Sequence, residues 1–282
     1  METLKIENDV EIPVLGFGVY QIPQEETKEA VENAIKVGYR HIDTAQSYQN
    51  ETEVGEGIKA SGIDRKELFI TTKVWIENVN YQDTLKSVER SLQRLDMDYI
   101  DLVLIHQPYN DVYGSWKALE ELKENGKIRV IGVSNFGVDR VVDLGLHNKI
   151  APQVNQIEIN PFHQQEEHVT TLQKENVVVE AWAPFAEGRN NLFQNEILKE
   201  IGDKYNKSIA QVVLRWLIER DIVVLAKSVN PERMAQNIDV FDFKLTDEDK
   251  SKIATLEQSN SQFFSHADPE MIKFLSSWQL NV

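Results

Sequence analysis

Eight short apolar runs recur along the chain, segments of helical period fill the intervals, and no shift in composition divides one part from another. Together these observations predict an α/β fold: a single (β/α)8 TIM barrel over residues 1–282, with an N-terminal β-hairpin and extra C-terminal helices. The runs are VLGFG from Val14, HIDT from His41, LFITTK from Leu68 and DLVLIH from Asp101, then IRVIGVS from Ile128, QVNQIEI from Gln153, VVVEAW from Val177 and IVVLAK from Ile222. Their starts lie 27, 27, 33, 27, 25, 24 and 45 residues apart, and each of the first six intervals accommodates one helix with two short loops. Near-continuous Val, Ile and Leu mark strands buried on both faces, as in a parallel sheet. An open doubly wound sheet is the alternative, because periodicity does not specify closure.

Ahead of the repeat, IEN-DVEIP reads as a small hairpin turning at Asn8–Asp9, placed to plug the barrel floor. In the intervals, Val31, Ala34 and Ile35 share one helical face, as do Leu85, Val88, Leu92 and Leu95; Trp116 and Leu119 with the stem of Lys123 form another. The long last interval holds two helices, at residues 197–205 and 209–219.

Composition removes several classes of function. Thirty Lys plus Arg face 46 Asp plus Glu, a net charge of −16, which opposes binding to nucleic acid or to anionic lipid. With no cysteine there is no disulfide, thiol nucleophile or Cys-ligated metal. Charges at Glu2, Lys5, Glu7, Asp9 and Glu11 leave no room for a secretory apolar segment, and the longest aliphatic run, residues 222–226, is far short of a membrane span. A cytoplasmic monomer acting on small molecules is expected.

A barrel carries its chemistry at the C-terminal ends of its strands. Here Asp43 closes the second run, Lys73 the third and His106 the fourth; Ser134 and Asn135 follow, then Gln156 and Glu158, Trp182 and Lys227, with Tyr48 in the loop after Asp43. Taken singly, Asp43 reads as a loop cap, Lys73 as a solvated end and His106 as a core imidazole. Polar groups at seven consecutive ends facing one mouth reverse that reading. A free Tyr ionises near pH ~10, a neighbouring ammonium lowers that value, and a carboxylate holds the ammonium in place. A neutral His can donate a hydrogen bond to a substrate oxygen. Such a set suits protonation of a carbonyl oxygen as hydride reaches its carbon, and hydride requires a cofactor.

The segments GYRHIDTAQSYQNETEVGEGI (38–58), KVW (73–75), LVLIHQP (102–108), GVSNF (132–136) and AKSVNPERMAQN (226–237), in this order, resemble the aldo-keto reductases, most of all the short-tailed bacterial branch that includes reductases of glyoxals and diketogluconate. The match runs from the hairpin to Leu245. The resemblance implies NADPH bound in extended form without a Rossmann domain, and reduction of small aldehydes, ketones or dicarbonyls. It gives Tyr48 the role of proton donor, Asp43 and Lys73 that of tuning it, and His106 that of orienting the carbonyl. It assigns Ser134, Asn135 and Gln156 to the nicotinamide carboxamide and Trp182 to the face of the ring. Lys227, Ser228 and Arg233 fall to the 2′-phosphate and Gln236 and Asn237 to the adenine, with Pro184 and Val229 completing the cofactor set. Tyr20, Trp75, His106, Gln107 and Tyr109, with the tail at 263–266, would line the substrate pocket.

The chain departs from the family pattern at several points. Gln107 stands where Trp is common and makes the mouth wider and more polar, and Ala183-Pro184-Phe185 with Glu187 replaces a Ser-Pro-Leu stretch near the pyrophosphate. Ala226, Asn230 and Gln236 replace the more frequent Pro, Thr and Glu. Neither GxG, at Gly16 or at Gly55, extends to a Rossmann fingerprint. His41, two residues before Asp43, is a core histidine rather than a metal ligand, since too few partners converge and no metal is expected. Two other functions stay open at this point: a Schiff-base lyase using Lys73 or Lys227, and a non-catalytic NADPH-binding regulator.

Overall fold

The computed structural model describes residues 2–7 and 10–282. Strands β1 (Thr3–Glu7) and β2 (Val10–Pro13) pair antiparallel, and the turn expected at Asn8–Asp9 lies outside the described residues. Each of the eight apolar runs then forms a parallel strand: β3 (Leu15–Gly18), β4 (His41–Asp43), β5 (Phe69–Val74), β6 (Ile100–Ile105), β7 (Ile128–Ser134), β8 (Val154–Glu158), β9 (Val178–Trp182) and β10 (Ile222–Ala226). β10 pairs with both β9 and β3, through Ile222–Val179 and Val224–Leu15, so the sheet closes into a barrel and the open-sheet alternative falls.

Helices α1 (Gln24–Val37), α2 (Glu51–Ser61), α3 (Tyr81–Leu95), α4 (Val112–Glu124), α5 (Val138–Leu146) and α6 (Glu166–Lys174) cross between successive strands. The long interval before β10 holds α7 (Glu196–Tyr205) and α8 (Ile209–Ile218), and β10 is followed by α9 (Pro231–Ile238), α10 (Asp247–Ala254) and α11 (Pro269–Ser276). The helical faces read from the sequence are those that pack: Val31, Ala34 and Ile35 are buried, as are Val88, Leu92, Leu95, Trp116 and Leu119. Leu85 is only half-buried at the edge of its face. Side-chain caps start several helices, with Asn80 accepting from the Asp83 N–H and reciprocal Ser208–Gln211 and Thr246–Asp249 boxes opening α8 and α10.

Side chains alternate along every strand. The outward set, such as Ile42, Ile70, Val103 and Ile131, packs under the helices. The inward set is apolar at the floor, where Phe69, Leu102, Leu104, Val130, Val154 and Val223 meet Val10 and Ile12 of the hairpin. That hairpin therefore plugs the barrel. One and two steps of two residues further along, the inward positions become polar: His41 and Asp43, Thr71 and Lys73, Gln156 and Glu158, Glu180 and Trp182. Gly16 makes room for them, since a Cβ there would lie 2.6 Å from His41 Nδ1 and from Leu225 Cδ2.

Near the floor, Asp101 is fully buried and accepts from Arg65 at 2.6 Å, Arg129 at 2.7 Å and the Ile70 N–H at 2.9 Å. Asp101→Ala removes three charge-assisted or backbone bonds while water still reaches both guanidiniums. Urea unfolding of that variant is expected to show a loss of about 2–3 kcal/mol, below the full penalty of a sealed broken ion pair. A loss under about 0.5 kcal/mol would mean that the floor does not depend on this clamp.

Candidate active site

Asp43 ends β4 and Lys73 lies one residue from the end of β5, and both point inward with 2% and 0% exposure. The Lys73 ammonium spends its three hydrogens on Asp43 Oδ1 at 2.6 Å, the Thr44 carbonyl at 2.9 Å and Tyr48 Oη at 3.2 Å. Tyr48 sits on a turn of 3₁₀ helix, residues 46–48, which is pinned from both sides. Gln46 Oε1 accepts from the Trp75 N–H, and Asn50 ties the turn to Thr44 and to the Val19 carbonyl. Buried Glu51 accepts from Thr72 and Arg94 and anchors the helix that follows.

His106, just past β6, sets its ring edge-on to Tyr48, with centroids 5.8 Å apart, and to Trp75 at 5.3 Å. Its Nδ1 faces Ser47 Oγ at 3.3 Å, which leaves Nε2 for a ligand. Burial first, then the charge of Lys73 and the neighbouring His266, hold this imidazole well below its usual pKa, so it is neutral.

The phenol departs from expectation. Lys73 does pull Tyr48 downward, but burial outweighs it and Asp43 opposes it, so the hydroxyl is pushed up to about 12 instead of being lowered. At neutral pH the Tyr48 hydroxyl therefore keeps its proton. Burial pulls Lys73 down, yet Asp43 and Tyr48 more than compensate and leave it raised and charged. A Schiff-base nucleophile needs the neutral amine, so Lys73 is unsuited to that chemistry, and Lys227 is exposed on the surface instead of enclosed in a pocket.

Behind this group, Gln156 Nε2 bridges Asp43 Oδ2 at 2.9 Å and Glu180 Oε2 at 2.8 Å. Glu180 is fully buried, and burial together with the nearby Asp43 charge raises its carboxyl to about 8. His41 is the core imidazole the sequence predicts: burial lowers it to about 3, its Nε2 meets Thr71 Oγ1 at 3.0 Å, and its ring stands edge-on to Phe69.

The expected cofactor residues form two groups. At the mouth, Ser134 Oγ donates to the Gln156 carbonyl at 2.9 Å, Asn135 Nδ2 donates to the His106 carbonyl at 3.1 Å, and Trp182 Nε1 donates to Asn135 Oδ1 at 2.8 Å. Asn135 sits at φ 65°, a left-handed backbone that Asn tolerates and that turns its amide back toward β6. Pro184 is buried just beyond Trp182. The second group lies at the β10–α9 junction. Lys227, Val229, Arg233 and Gln236 are exposed, Ser228 closes a turn with Asn230, and Asn230 caps α9 by accepting from the Glu232 and Arg233 N–H groups. Asn237 points inward, with its side chain at the Tyr39 hydroxyl.

Of the expected pocket residues, Tyr20 is 53% exposed with its ring 5.0 Å from that of Tyr48, whereas Trp75 and Gln107 are buried and Gln107 Oε1 has no hydrogen-bond partner among the described residues. Tyr109 donates to the His266 carbonyl at 2.7 Å and so joins the pocket to the tail. Glu158 receives the tail as it arrives, accepting from Ser261 Oγ at 2.5 Å and the Gln262 N–H at 2.8 Å, and Phe263 leans on Trp182 with centroids 5.3 Å apart. Farther on, Glu77 accepts from the Leu280 and Val282 N–H groups, both at 3.0 Å.

Sequence reasoning missed Glu180, Ser47 and Glu77, and it left Glu158 without a task. Glu180 had a signal, a lone acid inside the apolar run VVVEAW. The other three are ordinary polar residues until the fold supplies their partners.

Glu180 makes stability depend on pH. An unfolded Glu ionises near 4.5 and the folded one near 8, so between those values the folded state holds a proton that the unfolded state has lost. Stability therefore falls as pH rises through this window, by at most about 1.4 kcal/mol per pH unit. Glu180→Gln cannot ionise. Between pH 5 and pH 8, its unfolding free energy is expected to gain about 2–4 kcal/mol on wild type; a constant difference would mean that Glu180 is ionised in the folded barrel throughout.

Comparisons with known proteins agree with this geometry. The model of the aldo/keto reductase family matches residues 14–258. Glyoxal reductase of Bacillus subtilis (strain 168) is 47% identical over 259 residues, covering 91% of this chain and 93% of that protein. The crystal structure of MGS-M4, an aldo-keto reductase from a Medee basin deep-sea metagenome library, superposes with a TM-score of 0.90 at 41% identity, covering 93% of this chain and 97% of that one. The Bombyx mori aldo-keto reductase solved in complex with NADP gives a TM-score of 0.90 at 34% identity, with 96% of each chain covered. From its closed barrel, its polar mouth and these likenesses, the chain belongs to the aldo/keto reductase family.

Proposed function

We propose that this enzyme uses NADPH to reduce small aldehydes, ketones and dicarbonyls to alcohols, with Tyr48 as the proton donor, acting as a cytoplasmic monomer. What carries the reading is the buried Lys73 ammonium 3.2 Å from Tyr48 Oη, beside a neutral His106 whose Nε2 is left for a ligand. The family relatives add a named glyoxal reductase and a structure solved with NADP.

The residues present fit NADPH. In a chain of net charge −16, Lys227 and Arg233 are two exposed cations on either side of the Asn230 cap of α9, and among the described residues neither has an ion-pair partner. They suit a phosphate, through an ammonium and a planar guanidinium. Ser228 and Val229 lie between them, and Gln236 is exposed on the same helix for the adenine end, next to Asn237, which faces Tyr39. Ser134, Asn135 and Gln156 offer amide and hydroxyl partners for a carboxamide, with the Trp182 ring and Pro184 as the apolar wall. Bound NADPH supplies hydride to the carbonyl carbon.

The chain's own groups do the rest. Nε2 of His106 and Oη of Tyr48 face one substrate oxygen. Imidazole donation orients and polarises the carbonyl, and the phenol gives up its proton as negative charge develops on that oxygen. Lys73 stabilises the phenolate left behind, and Asp43 keeps the ammonium in place. Tyr20, Trp75 and Tyr109 wall the mouth, and Gln107 lies buried beneath them, its amide oxygen without a hydrogen-bond partner among the described residues. Short, oxygen-rich carbonyls fit such a mouth best.

Tyr48→Phe keeps the ring and removes the proton, so kcat is expected to fall by ~10²–10⁴-fold while fluorescence titration still shows cofactor binding. Near-normal turnover across a panel of aldehydes, dicarbonyls and keto sugars would dismiss Tyr48 as the donor. Arg233→Ala is expected to weaken NADPH by roughly 10- to 150-fold and to leave NADH nearly unchanged, because only NADPH carries the 2′-phosphate. Equal losses for the two cofactors would place Arg233 at the adenine or in the fold instead.

A further inference from the structure

Glu180 has no task in the chemistry above, yet it occupies the centre of the barrel beside the groups that do. It neighbours Gln156 across the β8–β9 register, and both side chains point inward. The Gln156 amide carries two hydrogens on nitrogen and an acceptor oxygen on the other side of its plane. Both hydrogens are committed, one to Asp43 Oδ2 at 2.9 Å and one to Glu180 Oε2 at 2.8 Å. Among the described residues nothing donates to Oε1. The torsion that turns a glutamine amide is broad and soft. A single anchor leaves the amide free to swing, whereas two anchors fix its plane.

We propose that Glu180 is a positioning residue for the cofactor: with Asp43 it grips both N–H groups of Gln156 and so presents Gln156 Oε1 as a lone acceptor to the carboxamide –NH2 of nicotinamide. This rests on the reading that Gln156 meets the carboxamide. The acid suits the task in either protonation state. When neutral it carries its proton on Oε1, the atom without a hydrogen-bond partner 3.6 Å from His41 Nε2, and Oε2 still accepts from Gln156. Replacing the acid by a side chain that cannot accept leaves one Gln156 hydrogen unpaired in the barrel and releases the amide plane.

The test compares NADP⁺ with its 3-acetylpyridine analogue, in which a methyl ketone replaces the carboxamide and no –NH2 remains. Dissociation constants are read from quenching of protein tryptophan fluorescence, with folding of each variant checked by thermal melting. In Glu180→Met, affinity for NADP⁺ is expected to fall about five- to tenfold while that for the analogue is unchanged or improved. Glu180→Ala, which removes the acceptor with less bulk, is expected to do the same and serves if the Met variant does not fold. Glu180→Gln retains an acceptor and is expected to keep the wild-type preference. If the Met and Ala variants keep that preference while Gln156→Leu loses it, Gln156 meets the carboxamide without help from Glu180 and the proposal is overturned. If Gln156→Leu also keeps it, the reading of Gln156 falls, and the role of Glu180 with it.

Discussion

The ion pair between Lys73 and Asp43 is sealed from water on both sides, and each charge is tolerable only because of the other. Transferring an ion of either kind into a protein interior costs several kcal/mol, and the mutual attraction repays this only with good geometry and full hydrogen bonding. The site is organised around meeting those conditions. The β4–β5 register sets Asp43 opposite Thr71 and hence diagonally across from Lys73. The Thr44 carbonyl and the Tyr48 hydroxyl take the remaining ammonium hydrogens, and Gln156 takes the second carboxylate oxygen. These partners come from β4, β5, β8 and the loop after β4, so only a closed barrel gathers them. Closure and catalysis thus have a common structural basis.

Much of this was legible in the sequence because burial on both faces of a parallel strand writes contiguous apolar runs, and inward polar residues break those runs at intervals of two. HID, TTK and NQIE carry that pattern at His41 and Asp43, Thr71 and Lys73, and Gln156 and Glu158, while Thr72 and Asn155 between them turn outward to Glu51 and the Phe136 carbonyl. The plug was readable as well, since a hairpin ahead of the repeat has no helix-covered face on which to pack. The pKa of Tyr48 was not readable. The signs of its neighbours follow from residue type, but the depth of burial that outweighs them does not. Glu180 escaped for the same reason: its partners lie 24 residues away in Gln156 and on distant β4, and nothing local distinguishes a structural acid from one that orients another side chain. Neither could spacing reveal that Glu158 and Glu77 receive the tail, because both partners of Glu77 and one of Glu158 are backbone N–H groups, which carry no residue identity.

The two groups of expected cofactor residues differ in how they are built. Around Ser134, Asn135 and Trp182 every polar group already has a protein partner, so the mouth is held rigid before any ligand arrives. At the β10–α9 junction the cations are exposed and the loop is held chiefly by its own Ser and Asn side chains. A mouth whose polar groups are already bonded to one another and an outer edge of exposed side chains would offer a long ligand one pre-ordered end and one open end.

The tail brings a different kind of consequence. Trp75 Nε1 donates to the carbonyl of Trp278, 203 residues later, and the contacts of Glu158 with residues 261 and 262 span 103 and 104 positions. Asp43, Tyr48, Lys73 and His106, by contrast, all fall within the first 110 positions, and none of them draws a hydrogen bond from the last 25. The buried polar cluster and the tail over the mouth are therefore built from separate parts of the chain. Mutation can rewrite the tail, even change its length, while the buried charges stay undisturbed. One barrel of this kind can give rise to a lineage of enzymes that share a reaction and diverge in the compounds they accept.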